Sequence, residues 1–245
     1  MRVARYLAAA AAALLVALPA AAQDMDKIKA ELKKVVSDAP IDSIKKTPYA
    51  GLYEVVVGGE VVYTDEKGSF LFLGNIIDIN NKENLTETRM RQVNKIDFAA
   101  LPFDRAIKIV RGNGARKIAI FEDPNCGYCK RFERDLQGVN DITVYVFLYP
   151  ILSADSVEKA KAIWCSKDPG KLWMDTMTKE VVPSGDKSCP TPLDQNVAFG
   201  RDKKITGTPT IIFEDGERVP GAMKLADFEK KLAAAKAPNA KVSQR

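Results

Sequence analysis

The most reactive groups in this chain are two cysteines one helical turn apart, Cys126 and Cys129. They lie in Phe121-Glu-Asp-Pro-Asn-Cys-Gly-Tyr-Cys-Lys130, directly after the apolar run Lys117-Ile-Ala-Ile-Phe121. A strand that runs into Asp123-Pro124-Asn125 and resumes as Lys130-Arg-Phe-Glu-Arg-Asp-Leu136 predicts strand, tight turn, helix, with Cys126 at or near the helix N-terminus. The free N–H groups and the positive end of the helix dipole favour a thiolate there. A Cys-X-X-Cys thiol so placed falls from about 8.5 to between ~3.5 and ~7. Cys126 is therefore the candidate nucleophile and Cys129, one turn further in, the resolving thiol. The competing uses of such a pair are a static disulfide or half of a zinc site. A zinc site wants a second close pair or histidines, whereas Cys165 and Cys189 lie far apart and the chain has no histidine. No metal and no cofactor is expected.

The elements that must position this pair begin after an N-terminal leader. Arg2 and Arg5, an alanine- and leucine-rich run and the close Leu18-Pro19-Ala-Ala-Ala22 form the pattern of a secretory signal peptide, residues 1–22, cut after Ala22. The apolar run is short of the ~20 residues a membrane-spanning helix needs, and Pro19 breaks it. No later segment is long and apolar enough, so the mature chain is expected in an oxidising compartment without stable membrane insertion. About 220 residues remain, room for one large domain or two modest ones. Loss of Arg2 and Arg5 takes the formal charge from +5 to +3. The lysines are mixed with acids rather than gathered with aromatics, which speaks against nucleic acid as a partner. The absence of histidine removes Ser-His and Cys-His hydrolase chemistry.

In chain order, Asp26–Val36 predicts a short amphipathic helix with Ile28, Leu32, Val35 and Val36 on one face. Residues 51–57, 60–64 and 69–73 read as strands separated by the turns Gly58-Gly59 and Asp65-Glu-Lys-Gly68, and Asn75–Ile79 is a possible fourth. This small antiparallel sheet with one helix, residues 23–83, buries a limited core and leaves strand edges open, so self-association is its natural cover. Residues 84–98 are polar with a thin apolar stripe (Leu85, Val93, Ile96), as in an exposed linker helix. Asn84-Leu85-Thr86 matches a glycosylation acceptor and is assigned no role. From residue 99 onward, Ala106–Arg111 predicts a strand that turns back at Gly112-Asn-Gly114 as a hairpin into the strand before Cys126. Asp141–Tyr149 is a strongly apolar strand, so a right-handed strand–helix–strand crossover with a parallel pair follows. Residues 153–204 are helical in pattern and hold Cys165 and Cys189. Four cysteines allow three pairings. With Cys126 and Cys129 paired together, the other two are left to form one structural bridge. Thr210–Phe213 and the residues after Asp215-Gly216 form a hairpin before a last helix. Pro209, opening that strand, calls for an edge or a special turn.

The strand and Cys-Gly-Tyr-Cys helix start, the helical insertion, Gly207-Thr-Pro-Thr210 before a hairpin and the final helix resemble a thioredoxin fold. With the leader, the small β-rich unit and the linker in front, the whole chain resembles the DsbC/DsbG family of bacterial periplasmic disulfide isomerases. The resemblance implies an α+β N-terminal dimerisation domain, residues 23–83. A linker helix, 84–98, would join it to an α/β thioredoxin-fold catalytic domain with a helical insertion, 99–245. It implies a homodimer that isomerises wrong disulfides in misoxidised secreted proteins and is kept reduced by a membrane thiol reductase of the DsbD type. It further implies a cis Thr208-Pro209 facing Cys126, with backbone groups of Thr208 free to bind substrate beside Gly127 and Tyr128. DsbG-like proteins usually carry proline in place of Gly127, and the alternatives to isomerisation are a DsbG-like sulfenic acid reductase or chaperone, or a net thiol oxidase. Thioredoxin has a buried aspartate six residues before its first cysteine, where this chain has Ile120. Glu122, Asp123 or Lys130 could serve in its place.

Overall fold

In the computed structural model, residues 20–36 and 39–235 are described. The leader assigned to residues 1–22 therefore falls almost wholly outside the described residues. Two compact units divide between Val93 and Asn94.

The first unit is a four-stranded antiparallel sheet in the order β1 (Ile41–Lys46), β2 (Tyr53–Val57), β3 (Glu60–Thr64), β4 (Leu71–Phe72). Alternation along β2 and β3 sends side chains to both faces, and both are covered. On one face, Ile28 and Leu32 of α1 (Ala20–Lys33) pack on Tyr53, Val55 and Val62. On the other, Val56, Val61 and Tyr63 meet Met90 and Val93 of α2 (Leu85–Val93). Helix α2 is thus not an exposed connector over 84–98. It ends at Val93, Thr86 is buried with its hydroxyl 2.7 Å from Tyr63 Oη, and Arg89 pairs with Glu54 at 2.8 Å. Asn84 caps it by accepting from Glu87 N, so the acceptor-like tripeptide Asn84–Thr86 is a helix start. Helix α1 stops at Lys33, which leaves Val35 beyond the apolar face and exposed.

Strand β1 is absent from the sequence reading because its apolar residues are three apart. A bulge between Ile41 and Ser43 lets both Ile41 and Ile44 reach the α1 face, which breaks the two-residue period. The 69–73 strand shrinks to the two residues of β4, and β5 (Ile77–Asp78) pairs with β6 (Glu83–Asn84) instead of extending the sheet.

The second unit is a five-stranded sheet, β11-β10-β8-β9-β7, built from β7 (Ile107–Arg111), β8 (Arg116–Glu122), β9 (Ile142–Leu148), β10 (Thr210–Phe213) and β11 (Arg218–Pro220). Only β8 and β9 are parallel, joined through α3 (Gly127–Leu136). Ile118 and Ile120 of β8 face a core with α3, α5 (Pro169–Lys179) and α7 (Leu225–Ala235). Ala119 and Phe121 face a second core that takes in Val197 and Phe199 of α6 (Leu193–Asp202).

The expected hairpin between the 106–111 strand and β8 does not form. β7 pairs antiparallel with β9, and β9 separates it from β8. Gly112-Asn-Gly114 is instead a crossing turn over the start of β9. A Cβ on Gly112 would come within 2.4 Å of Asp141, and one on Gly114 within 2.7 Å of Thr143. Asn113 N donates to Asp141 Oδ1 at 3.0 Å, and the close approach together with a positive φ at both positions (58° and 65°), rather than hairpin pairing, requires the glycines.

Cys165, closing α4 (Ala154–Trp164), is bonded to Cys189 with the Cα atoms 5.7 Å apart. The bridge ties the end of α4 to the long segment before α6 across a sequence separation of 24. Chain entropy gives such a loop about 3.5 kcal/mol. The double variant Cys165→Ala/Cys189→Ala is expected to lose stability of that order in urea unfolding, with disulfide exchange retained in whatever fraction stays folded. An unchanged midpoint would show that the bridge is not a staple.

Candidate active site

Cys126 is the N-cap of α3. Its backbone is extended (φ −74°, ψ 113°) and its sulfur accepts from Cys129 N at 3.2 Å. The turn before it is held from two sides. Asp123, buried at the end of β8, accepts from Asn125 N at 2.8 Å and from Leu152 N at 3.0 Å. Asn125 Nδ2 donates to Asp155 and Ser156 at the start of α4, and Lys159 Nζ donates to Asn125 Oδ1. The sequence reading missed Asn125 as a positioning residue. The Asp-Pro-Asn composition signals the turn, which Asp123 closes on the Asn125 N–H, but the Asn125 contacts are with distant side chains that no local spacing reveals.

Cys126 and Cys129 are both unbonded. Cys126 is 5% exposed and Cys129 fully buried. In its thiol form Cys126 Sγ donates to the Thr208 carbonyl at 3.3 Å, and the Thr208–Pro209 peptide is cis. β10, which Pro209 precedes, lies between β8 and β11, so the special turn and not an edge accommodates the proline. The Cys126 thiol is lowered to about 6. A hydrogen bond from the Cys129 thiol does most of this against the opposing effect of burial, and the Thr208 side chain and the Cys129 and Tyr128 N–H groups add to it. The Cys129 thiol is pushed far up, first by burial, then by its bond to Cys126 and the charge of Glu122. The two sulfurs are thereby set far apart in acidity. Tyr128 is 65% exposed, with the Arg131 guanidinium 5.4 Å from its ring centroid, and a Cβ at Gly127 would meet nothing within 4 Å. The rim beside Cys126 is open.

Of the three candidates for moving protons, Asp123 has its two oxygens occupied by backbone N–H groups. Lys130 is partly exposed. Glu122 is buried, on the same face of β8 as Ile118 and Ile120, under the two cysteines. Among the described residues no group of histidine, cysteine, aspartate and glutamate could hold a metal ion, and no helix is long and apolar enough to cross a membrane.

A strand–turn–helix that presents one acidic and one buried thiol beside a cis-proline turn defines a thioredoxin-like thiol–disulfide oxidoreductase. Residues 103–236 match the family described as "Thioredoxin-like domain", and residues 19–87 match the "Disulfide bond isomerase protein N-terminal domain". The chain is 42% identical over 207 residues to a probable thiol:disulfide interchange protein DsbC of Bordetella pertussis, covering 84% of this chain and 74% of that protein. Against the thiol:disulfide interchange protein DsbC of Escherichia coli the identity is 28% over 186 residues, covering 73% and 75%. A disulfide interchange protein from Neisseria gonorrhoeae of solved structure is 37% identical with a TM-score of 0.53, covering 55% of this chain and 98% of that one. The chain belongs to the DsbC family of thiol:disulfide interchange proteins, and its reaction is thiol–disulfide exchange with a disulfide isomerase role.

Proposed function

We propose that Cys126 and Cys129 carry this exchange in the periplasm after cleavage behind Ala22, with misoxidised secreted proteins as substrates. The Cys126 thiolate attacks a wrong disulfide, one substrate sulfur leaves as a thiolate, and a mixed disulfide forms. It is released when a substrate thiol reattacks or when Cys129 displaces it. Thr208 lends its backbone to the substrate strand, with Gly127 and Tyr128 forming the open rim. A membrane thiol reductase returns the pair to the dithiol form. The single observation that carries this reading is the Cys126 sulfur capping α3 beside the Thr208 carbonyl.

Alkylation of the reduced protein tests it. A thiol lowered to about 6 reacts as a thiolate at neutral pH, so the Cys126 rate should rise as pH increases through that value and level off above it. Cys129 should stay unreactive throughout. A Cys126 midpoint at or above 8.5 would count against the helix-cap argument.

The first unit supports a homodimer. β4 is a sheet edge, and Phe70, Leu71, Phe72 and Leu73 stand exposed along it, with Leu73 at 76%. An open edge beside a row of apolar side chains is the kind of surface that a second copy covers across a two-fold axis.

A further inference from the structure

Beneath the cysteines, Glu122 at the end of β8 and Glu133 on α3 are both wholly buried. Neither Glu122 oxygen meets a fixed hydrogen-bond donor, and its neighbours are the Glu133 carboxyl and the thiols of Cys126 and Cys129. Glu133 is anchored from outside the pair. Its Oε1 accepts from Trp173 Nε1 of α5 at 3.1 Å, and its Oε2 lies 3.7 Å from the Arg111 guanidinium of β7. Arg111 in turn donates to the Leu136 carbonyl at 3.0 Å. One carboxyl of the pair therefore has a counter-charge and a donor, and the other has no hydrogen-bond partner for either oxygen. Two carboxyl oxygens facing each other away from water make a hydrogen bond only when one of them carries a proton.

We propose that Glu122 is the proton acceptor and donor for Cys129, and that Glu133, held by Arg111 and Trp173, is the positioning residue that sets when Glu122 gives up its proton. This rests on the reading of Cys126 and Cys129 as attacking and resolving thiols. In resolution the Cys129 S–H bond breaks and its proton passes to a Glu122 oxygen. The sulfur's electron pair forms the bond to Cys126, and the substrate sulfur departs with the pair of the broken mixed disulfide. In the reverse direction, an incoming thiolate attacks Cys126 of the oxidised pair, and Cys129 leaves and takes the proton back from Glu122.

The charges around Glu122 time these steps. Its carboxyl is pushed well above the usual range by burial first, then by the Glu133 charge and the bond to Glu133, and then by the Cys126 thiolate; its contact with Cys129 opposes this. In the reduced protein all four upward effects hold and favour the protonated carboxyl of Glu122. Once Cys126 is in a mixed disulfide its charge is gone, and Glu122 becomes the stronger acid at the step that needs its carboxylate.

The test uses the reduced full chain and an aromatic disulfide whose released thiolate is coloured. Cys126 releases the first thiolate and Cys129 the second, so one trace separates attack from resolution. In Glu122→Gln the second release is expected to slow by about 10²-fold or more relative to the first. Its rate should also keep climbing with pH where the wild type has levelled off. Glu133→Gln removes the like charge and is expected to move that levelling to lower pH with the plateau retained, a shift that loosened packing would not produce. A second release in Glu122→Gln that matches the wild type at every pH overturns the proposal. An unmoved profile in Glu133→Gln also overturns it, and decides alone if Glu122→Gln does not fold. A wild type that gives only one release sinks the reading of the cysteine pair itself, and the proposal with it.

Discussion

Cys126→Ser is expected to fold normally and to reshuffle nothing. Serine keeps the N-cap at α3, since a hydroxyl accepts from the Cys129 N–H as the sulfur does. It supplies no thiolate, however, and loss of a covalent nucleophile elsewhere costs on the order of 10⁶ in rate. Turnover on a scrambled multi-disulfide protein should fall to background. Cys129→Ser should behave differently: attack continues, mixed disulfides accumulate, and only release by substrate thiols remains. The same Cys126→Ser protein also separates chemistry from grip. If it still suppresses aggregation of a reduced, unfolded chain, binding stands apart from the thiol. If it still isomerises, the reaction does not run through Cys126.

The second large effect concerns the β-rich unit. A chain beginning at Asn94 is expected to be monomeric, to reduce small disulfides within a few-fold of the full protein, and to lose most isomerase activity. The reason is effective concentration. Two thiol sites held together by one dimer keep a captured substrate near a second thiolate, and such linkage commonly contributes ~10²-fold or more. The cut belongs at Asn94 rather than nearer Asp97. Ile96 is buried in the catalytic unit and its N–H donates to the Gly216 carbonyl at 3.0 Å. Phe72→Asp in the full chain tests the same idea without truncation, because a charge on the exposed edge of β4 opposes pairing. Sedimentation decides: a wild type that is monomeric at micromolar concentration, or a shortened chain that isomerises as well as the whole, would end this account of residues 20–93.

What could be read before the structure was local. The helix start at Cys126 follows from Asp-Pro-Asn after an apolar run, and the β2–β3 hairpin from Gly58-Gly59 between valine-rich strands. What could not be read depends on where distant segments meet. Gly112-Asn-Gly114 has hairpin composition, but β7 pairs with β9, while the two edges of β8 are taken by β10 and β9. The bulge in β1 erased its period, and the thin stripe of α2 gave no hint that Met90 and Val93 would cover a second sheet face. In the site, Glu122 was one of three equal candidates. Only the phase of β8 against α3 sets it beneath Cys129 and opposite Glu133, eleven positions away on another element. No spacing rule for a single helix or strand would have joined those two carboxyls.

The Cys165–Cys189 bridge places a demand on the protein's own maturation. Under the proposed isomerase cycle a working copy carries one cysteine pair oxidised and the other reduced in the same solvent, so it sits two hydrogens below its fully reduced mass and two above its fully oxidised one. Any reductant that recharges Cys126 and Cys129 has to spare a second disulfide in the same domain, through a lower potential of that bridge, slower access to it, or both. A newly made chain faces the converse problem, because its two active-site thiols can be trapped by Cys165 or Cys189 before α4 and the segment ahead of α6 have met.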